Sequence, residues 1–376
     1  MNQKIRVGVI FGGRSGEHEV SLASATSVIN ALDRQKYDVV PIGITKEGRW
    51  VSSGHALKLL KEKNDLDREP ERYLVPEPNR QKLVSANGSG EIQLPLDVVF
   101  PVVHGTYGED GSLQGLLELA NIPYVGAGVL ASAVGMDKIV QKQLFQQAGL
   151  RIAKYVWFLS SACMQDQRKI ALAVEKSLTY PVFVKPANTG SSVGISKVHS
   201  REELHAGLVL AAGYDRKVIV EQGVKHVREI ECSVLGNDDP IVSVPGEVVP
   251  SNEFYDYDAK YVDGKSMAII PAKLPRKIIS EIQRSARMAF KLVDCSGMAR
   301  VDFFVVKKTN KVFLNEVNTI PGFTSISMYP KLWEASGLPL PKLIDRLIEL
   351  AIEDYDERST LKTSYQSPPS PARRKS

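Results

Sequence analysis

Two stretches of this sequence carry side chains that could do chemistry. The first, MARVDFFVVKKTNKVFLNEVNTIPG, reads as two strands, MARVDFFVV and KVFLNEVN, joined by a short polar turn. Residues two apart in a strand share a face, so Arg300 aligns with Asp302, and Glu316 with Asn318. Two carboxylates and an amide oxygen are hard ligands of the kind Mg²⁺ takes when it bridges substrate phosphates. For Asp302 to face Glu316 across the pair, the turn must centre on Thr309; a two-residue turn at Thr309 and Asn310 would throw the carboxylates onto opposite faces. A metal site therefore demands an odd turn or a bulge between Val306 and Val312. The flanking Val, Phe and Leu favour ligation over a solvated charged stripe.

The second stretch is VFVKPANTGSSVG. Lys185 lies in an apolar strand, where an unpaired ammonium is expensive, so an anion is expected beside it. The loop with Gly190, Ser191, Ser192 and Gly194 can bring backbone N–H groups close to phosphate oxygens, and it reads equally as a hairpin whose lysine reaches water. Beyond Pro321, GFTSISM offers N–H and hydroxyl donors suited to a carboxylate or an oxyanion, or forms a plain connector. His104, ending a strand in HGTYGEDG, is either a substrate contact or a satisfied loop histidine.

The N-terminal GVIFGGRS is one substitution from a phosphate-binding P-loop, with Arg14 where that pattern has Lys. Val9, Ile10 and Phe11 continue an apolar run and read as the end of a buried strand, leaving Gly12, Gly13 and Gly16 to form the loop. Glu17 and Glu19 would repel a triphosphate there. An ammonium group suits Glu17 better.

The elements that must position these groups form an α/β pattern. IRVGVIF, an amphipathic stretch from Val20 to Leu32 and YDVVPIGIT begin a parallel-sheet unit, which LPLDVVFPVVHG rejoins. MDKIVQKQLFQQAGL reads as a helix with Gly149 at its C-terminal end, ahead of the strand YPVFVKP. Residues 61–91 are charged and broken by Pro and Gly, a surface excursion. The 376 residues suggest two or three domains. No apolar run nears the roughly 18 residues of a membrane span, and MNQKIRVGVIFGG lacks a signal peptide's pattern, so a cytoplasmic protein is expected. Cys163, Cys232 and Cys295 are isolated and read as buried structural thiols. Of the net charge of +5, four charges belong to Lys362, Arg373, Arg374 and Lys375 in the Pro/Ser-rich tail, so the body is not a nucleic-acid binder by charge.

These motifs are colinear with a known family. Through GGRSGEHEVS, HGTYGEDGSLQG, GMDK, VKPANTGSSVG, EFYDYDAKY, ARVDFF and NEVNTIPGFTSIS, from about Ile5 to Ala351, the chain resembles the D-alanine:D-alanine ligases of the ATP-grasp superfamily. The resemblance implies an α/β, three-domain ATP-grasp fold: a parallel-sheet substrate domain over 1–123 and a central domain over 124–215. A C-terminal domain with lid and metal site would cover 216–360, and a disordered basic tail 361–376. It implies an ATP-dependent ligase that joins two D-alanine molecules through an acyl phosphate, for peptidoglycan precursor synthesis, with two Mg²⁺ ions that Mn²⁺ can replace. Lys138 and Lys185 would contact the phosphates, with Ser192 in the loop folded over them. Glu221, Gln222, Gly223 and Val224 would form the hinge beside adenine, and Glu229 would meet the ribose. Asp302, Glu316 and Asn318 would hold the metal ions. Arg300 and the N–H of Gly322 would stabilise the oxyanion and the transferring phosphoryl group, and Ser327 would bind the second substrate's carboxylate. Glu17 would take the first substrate's ammonium, hydrogen-bonded with Ser191 and Tyr261; His104 would lie beside that substrate and Lys260 near the γ-phosphate. The stretch from Glu247 to Lys265 is long, polar and suited to a mobile lid. A homodimer is expected, with no nucleic-acid or membrane partner.

Two other readings stay open on the sequence. A nucleotide-binding regulatory or dehydrogenase-like protein would use the N-terminal unit but lacks a full G-x-G-x-x-G and leaves the carboxylate hairpin unexplained. A ligase of the same kind could instead take D-lactate or D-serine as acceptor.

Overall fold

The structure, a computed structural model, describes residues 4–62, 72–78, 82–85, 94–190, 192–249 and 267–365. Strand β1 (Ile5–Gly12) carries Val7, Val9, Ile10 and Phe11, all fully buried, as a parallel strand covered on both faces requires. It ends where Gly12 and Gly13 take φ of +87° and +105°. A β-carbon on Gly12 would sit 2.1 Å from the carbonyl oxygen of Ile44, so only glycine allows this turn. Helix α1 (His18–Ala31) follows and packs on β1. β2 (Tyr37–Ile44), the short antiparallel β3 (Trp50–Val51) and β4 (Val98–Pro101) complete a sheet of order β3-β2-β1-β4, with β2 and β4 parallel to β1.

Within 61–91, the described residues 72–78 and 82–85 are more than the surface excursion their composition suggests. Arg72–Leu74, Lys82–Ser85 and Leu94–Pro95 form a small antiparallel sheet, and Leu74 and Leu83 are buried in the core beside Ile42 and Val99.

Helix α2 (Lys138–Gln147) starts at Asp137, whose carboxylate accepts the N–H groups of Ile139 and Val140 at 3.0 and 3.1 Å. It stops before Gly149, which has the left-handed φ of +76°. β5 (Tyr155–Leu159), β6 (Val182–Pro186), β7 (Ser196–Val198) and β8 (Lys217–Gln222) make an antiparallel sheet of order β7-β6-β8-β5. The expected boundary at residues 215/216 falls just before β8. β8 pairs with both β5 and β6, so this sheet runs on to Gln222.

β9 (Val227–Leu235), β10 (Gly246–Val249), β11 (Met267–Ile269), β12 (Met298–Val306) and β13 (Val312–Asn318) form a second antiparallel sheet, order β11-β10-β9-β12-β13. Helix α3 (Arg276–Leu292) covers it with Ile278, Ile282 and Phe290. Ala131 and Phe145, from the segment before the central sheet, pack into this same core. Helix α4 (Leu340–Ser359) turns back to the first unit, where Leu343, Ile344 and Leu347 join Val7, Phe11 and Phe100. Each large apolar side chain buried this way contributes about 1.5–3 kcal/mol. The first and C-terminal units thus share a core, while the central sheet keeps its own around Val182, Val184, Leu204 and Leu208.

All three cysteines are buried, with no disulfide, and burial pushes the Cys163 thiol up to about 11. Such thiols are unreactive near neutral pH. Among the described residues, no helix is long and apolar enough to cross a membrane.

Candidate active site

β12 and β13 bring the proposed metal ligands together. Asp302 pairs with Glu316 and Arg300 with Asn318, so all four lie on one face. The irregularity needed to achieve this is not in the turn, as the sequence suggested, but between Asp302 and Phe303: Phe303 pairs with Leu314, leaving Asn315 as the extra residue. From Phe303 to the turn the pairing is that of an even turn; the bulge at Asn315 restores the carboxylates to one side.

Side chains of α2 grip the backbone on both sides of Glu316. Lys142 Nζ donates to the carbonyl of Asn315 at 3.0 Å, and the N–H of Val317 donates to Gln141 Oε1 at 2.9 Å. Lys142 is 2% exposed, and its ammonium also meets Glu221 Oε1 at 2.7 Å. The other oxygen of Glu221 pairs with Lys185. Burial alone would raise the Glu221 carboxyl, but Lys142 and Lys185 outweigh it and hold the group at about 2. Lys185 is pulled down by burial and raised further by Glu221, Glu316 and Glu229, so it stays charged. The anion expected beside Lys185 is present as a protein carboxylate.

Arg300 donates through Nε and Nη2 to the two oxygens of Asp302, both at 2.8 Å, and its Nε lies 3.0 Å from Glu231. Asn318 Nδ2 donates to Asp302 at 3.0 Å. These residues fit a divalent cation in donor chemistry: two carboxylates and an amide on one wall of a cleft. Among the described residues, no cluster of three acids, histidines or cysteines could cage a metal by itself. Two carboxylates and an amide oxygen suit a cation that completes its shell with phosphate oxygens.

Lys138 Nζ donates to the carbonyl of Thr189 at 2.7 Å, at the root of the glycine-containing loop. Ser192, at φ +60°, lines the cleft beside Gly190. Ser191, Lys260 and Tyr261 lie outside the described residues, as does most of the expected lid. Gln222 ends β8, and Gly223 and Val224 begin the connection to β9; a β-carbon on Gly223 would sit 2.7 Å from the carbonyl oxygen of Pro181. Glu221, next to the end of β8, turns its carboxylate to the two lysines, so its side chain is not turned to a hinge contact. Glu229 lines the cleft on β9.

Glu17, 8% exposed, stands where the first and central units meet. β-Carbons on Gly105 and Gly190 would fall 2.7 and 2.3 Å from its Oε2. His104 is buried nearby, with Nε2 2.9 Å from Ser24 Oγ and Nδ1 3.4 Å from Glu109. The N–H of Phe323 donates to Ser24 Oγ at 3.2 Å. Ser24 thus ties His104 to the loop that follows Gly322. Ser327 Oγ accepts the N–H of Thr324 at 3.0 Å, and a β-carbon on Gly322 would fall 2.6 Å from it.

One cleft of about 740 Å³ is lined by Glu17, His104, Lys138, Lys185, Glu229, Arg300, Asp302, Glu316, Asn318, Gly322 and Ser327 alike. Sequence reasoning missed Ser24, Glu109, Gln141, Lys142 and Glu231. The available signal for α2 was Lys138 and Lys142 one helical turn apart; for Glu231 it was its place two residues from Glu229 on a strand.

A parallel-sheet unit followed by two antiparallel sheets, with a cation-and-carboxylate cleft among them, defines an ATP-grasp enzyme. Family models for the N-terminus and the C-terminus of D-ala D-ala ligase match residues 6–127 and 144–349. A D-alanine–D-alanine ligase of Acetivibrio thermocellus is 50% identical over 371 residues, 95% of this chain and 98% of that one. The solved D-alanine-D-alanine ligase of Coxiella burnetii superposes with a TM-score of 0.82 at 38% identity, covering 95% of this chain and 96% of that one. A D-Ala:D-Ser ligase of Enterococcus faecalis gives the same score and identity, covering 93% and 100%. The chain belongs to the D-alanine–D-alanine ligase family.

Proposed function

We propose that this protein condenses two D-alanine molecules into D-alanyl-D-alanine, using ATP, for peptidoglycan precursor synthesis in the cytoplasm. The observation that carries the reading is the one cleft in which Glu17, Lys138, Lys185 and the hairpin carboxylates Asp302 and Glu316 meet. A carboxylate resists attack by an amine until one of its oxygens becomes part of a leaving group. The first D-alanine, its ammonium on Glu17 beside His104, therefore attacks the terminal phosphorus of ATP with a carboxylate oxygen; the bond from that phosphorus to the β-phosphate oxygen breaks, ADP leaves, and the carboxylate has become an acyl phosphate. Lys138, Lys185 and Ser192 hold the phosphates, the segment from Glu221 to Val224 lies against adenine, and Glu229 bonds the ribose. The second D-alanine, its carboxylate on Ser327, then attacks as the neutral amine. A C–N bond forms, the C–O bond to phosphate breaks with its electron pair leaving on phosphate, and the proton lost by the amine goes with it as hydrogen phosphate.

Both steps concentrate negative charge, which Arg300 and the N–H of Gly322 offset in a site closed to water. Divalent cations on Asp302, Glu316 and Asn318, two Mg²⁺ ions with Mn²⁺ as substitute, would supply further positive charge to the phosphate oxygens. Ser191, Tyr261 and Lys260 would complete the closed site from the loop and the lid. The reading includes a homodimer, which sedimentation would check.

The test is phosphate release from MgATP with D-alanine, L-alanine, D-lactate and D-serine offered singly and in pairs, with products identified by mass. Release is expected with D-alanine, giving chiefly D-alanyl-D-alanine. D-serine belongs in the test because the Enterococcus faecalis enzyme is as similar in fold as the Coxiella burnetii one. Mixed dipeptide as the main product would overturn the acceptor assignment, and release independent of any D-amino acid the whole reading.

A further inference from the structure

Lys142 is an expensive residue to bury. Its side chain is 2% exposed, and its ammonium sits between Glu221 and the bulged carbonyl of Asn315, while the other oxygen of Glu221 holds Lys185. One carboxylate thus serves two ammonium groups. Remove Lys142, and Glu221 and Lys185 become a closed, neutral pair in which the full carboxylate charge holds Lys185 back from any other anion. The same removal leaves the carbonyl of Asn315 without its ammonium donor, next to Glu316. Gln141, the neighbouring helix residue, bonds the N–H on the far side of Glu316.

We propose that Lys142 is a positioning residue that prepares both halves of the triphosphate site. By sharing Glu221 it leaves Lys185 with positive charge to offer a phosphate, and by holding the bulge at Asn315 it fixes Glu316 for a divalent cation. This rests on the ATP-binding reading given above. The two effects run through different atoms and separate experimentally. The first passes through Glu221 and is independent of metal. The second passes through the backbone of β13 and is independent of Glu221.

Calorimetric titration of the full chain with ATP in EDTA reads the first effect, and titration of the ATP complex with Mn²⁺, followed by electron paramagnetic resonance, reads the second. Lys142→Met is expected to weaken metal-free ATP binding by about tenfold and Mn²⁺ binding by about tenfold, the size typical of groups that orient a metal ligand. Lys142→Met combined with Glu221→Gln removes both buried charges, so metal-free ATP affinity should return to within about threefold of Glu221→Gln alone while the Mn²⁺ defect persists. Lys142→Arg, which keeps a charge and donors, should retain part of both. If Lys142→Met does not fold, the double variant against Glu221→Gln decides the metal arm and Lys142→Arg against wild type the nucleotide arm. Wild-type ATP and Mn²⁺ affinities in Lys142→Met would overturn the proposal, as would a double variant as poor in metal-free ATP binding as Lys142→Met. Failure of the wild-type chain to bind ATP at all would instead overturn the functional reading beneath it.

Discussion

Gly190 leaves no room between itself and Glu17: a β-carbon there would lie 2.3 Å from the carboxylate oxygen Oε2. The hairpin loop of the central sheet and the first loop of the N-terminal sheet therefore meet at one carboxylate. Gly190 does not sit at positive φ, so alanine can adopt its backbone and the conflict falls on Glu17. Gly190→Ala should displace Glu17 and lower kcat/KM for D-alanine by about a hundredfold, the scale of an ångström-sized misplacement, with little change in melting temperature. Unchanged D-alanine kinetics would show that Glu17 does not hold this substrate.

Glu316→Gln keeps volume and removes charge. Glu316 faces Asp302 across the strand pair, and the bulge that puts it there is held by Lys142 and Gln141 rather than by its own side chain. The hairpin should therefore survive the change while the ligand charge is lost. Turnover at ordinary Mg²⁺ is expected to fall by two orders of magnitude or more, on the order of what a catalytic charge stabiliser supplies, with an unaltered circular dichroism spectrum. Retained turnover would identify the wrong carboxylate.

The hairpin also shows how far the sequence could be read. The pairing of Asp302 with Glu316 was legible because strand periodicity and chemistry agreed. The bulge was misplaced into the turn, although the apolar positions Val312, Leu314 and Val317 break the two-residue alternation at Asn315 and Glu316, where it occurs. The grip of Lys142 and Gln141 on β13 was illegible because Asn315 and Val317 lie more than 170 positions along the chain, and helix periodicity gives a face without its neighbour. Glu221 lies inside β8, and the direction of its side chain is set by Lys142 and Lys185, which no local pattern announces. The extent of the central sheet was missed for a related reason. KVIVEQ reads as a strand by itself, and its partners β5 and β6 are fixed by packing.

Residues 362–365 are exposed, Tyr365 at 86%, and follow α4 without burying apolar surface. Truncation after Leu361 should leave melting temperature and turnover at wild-type values. A loss in either would mean that the basic tail docks.

His104 and Glu109 give a pH-dependent contribution to stability. Burial lowers the imidazole pKa, but the hydrogen bond and charge of Glu109, with the charge of Glu17, raise it above its ordinary value. A folded-state pKa raised above the unfolded one contributes stability that is fully present below the ordinary imidazole range and is lost as pH rises through the folded value. Glu109→Gln removes the principal raising partner without changing volume, leaving the burial effect to dominate. Wild type should then exceed Glu109→Gln in unfolding free energy at acidic pH, on the order of 1–3 kcal/mol for a charged hydrogen bond. The gap should narrow as pH rises through and above the imidazole range. Urea unfolding across that range, paired with NMR titration of the His104 ring, would check both: a gap constant in pH, or a ring pKa that does not fall in Glu109→Gln, would remove the coupling.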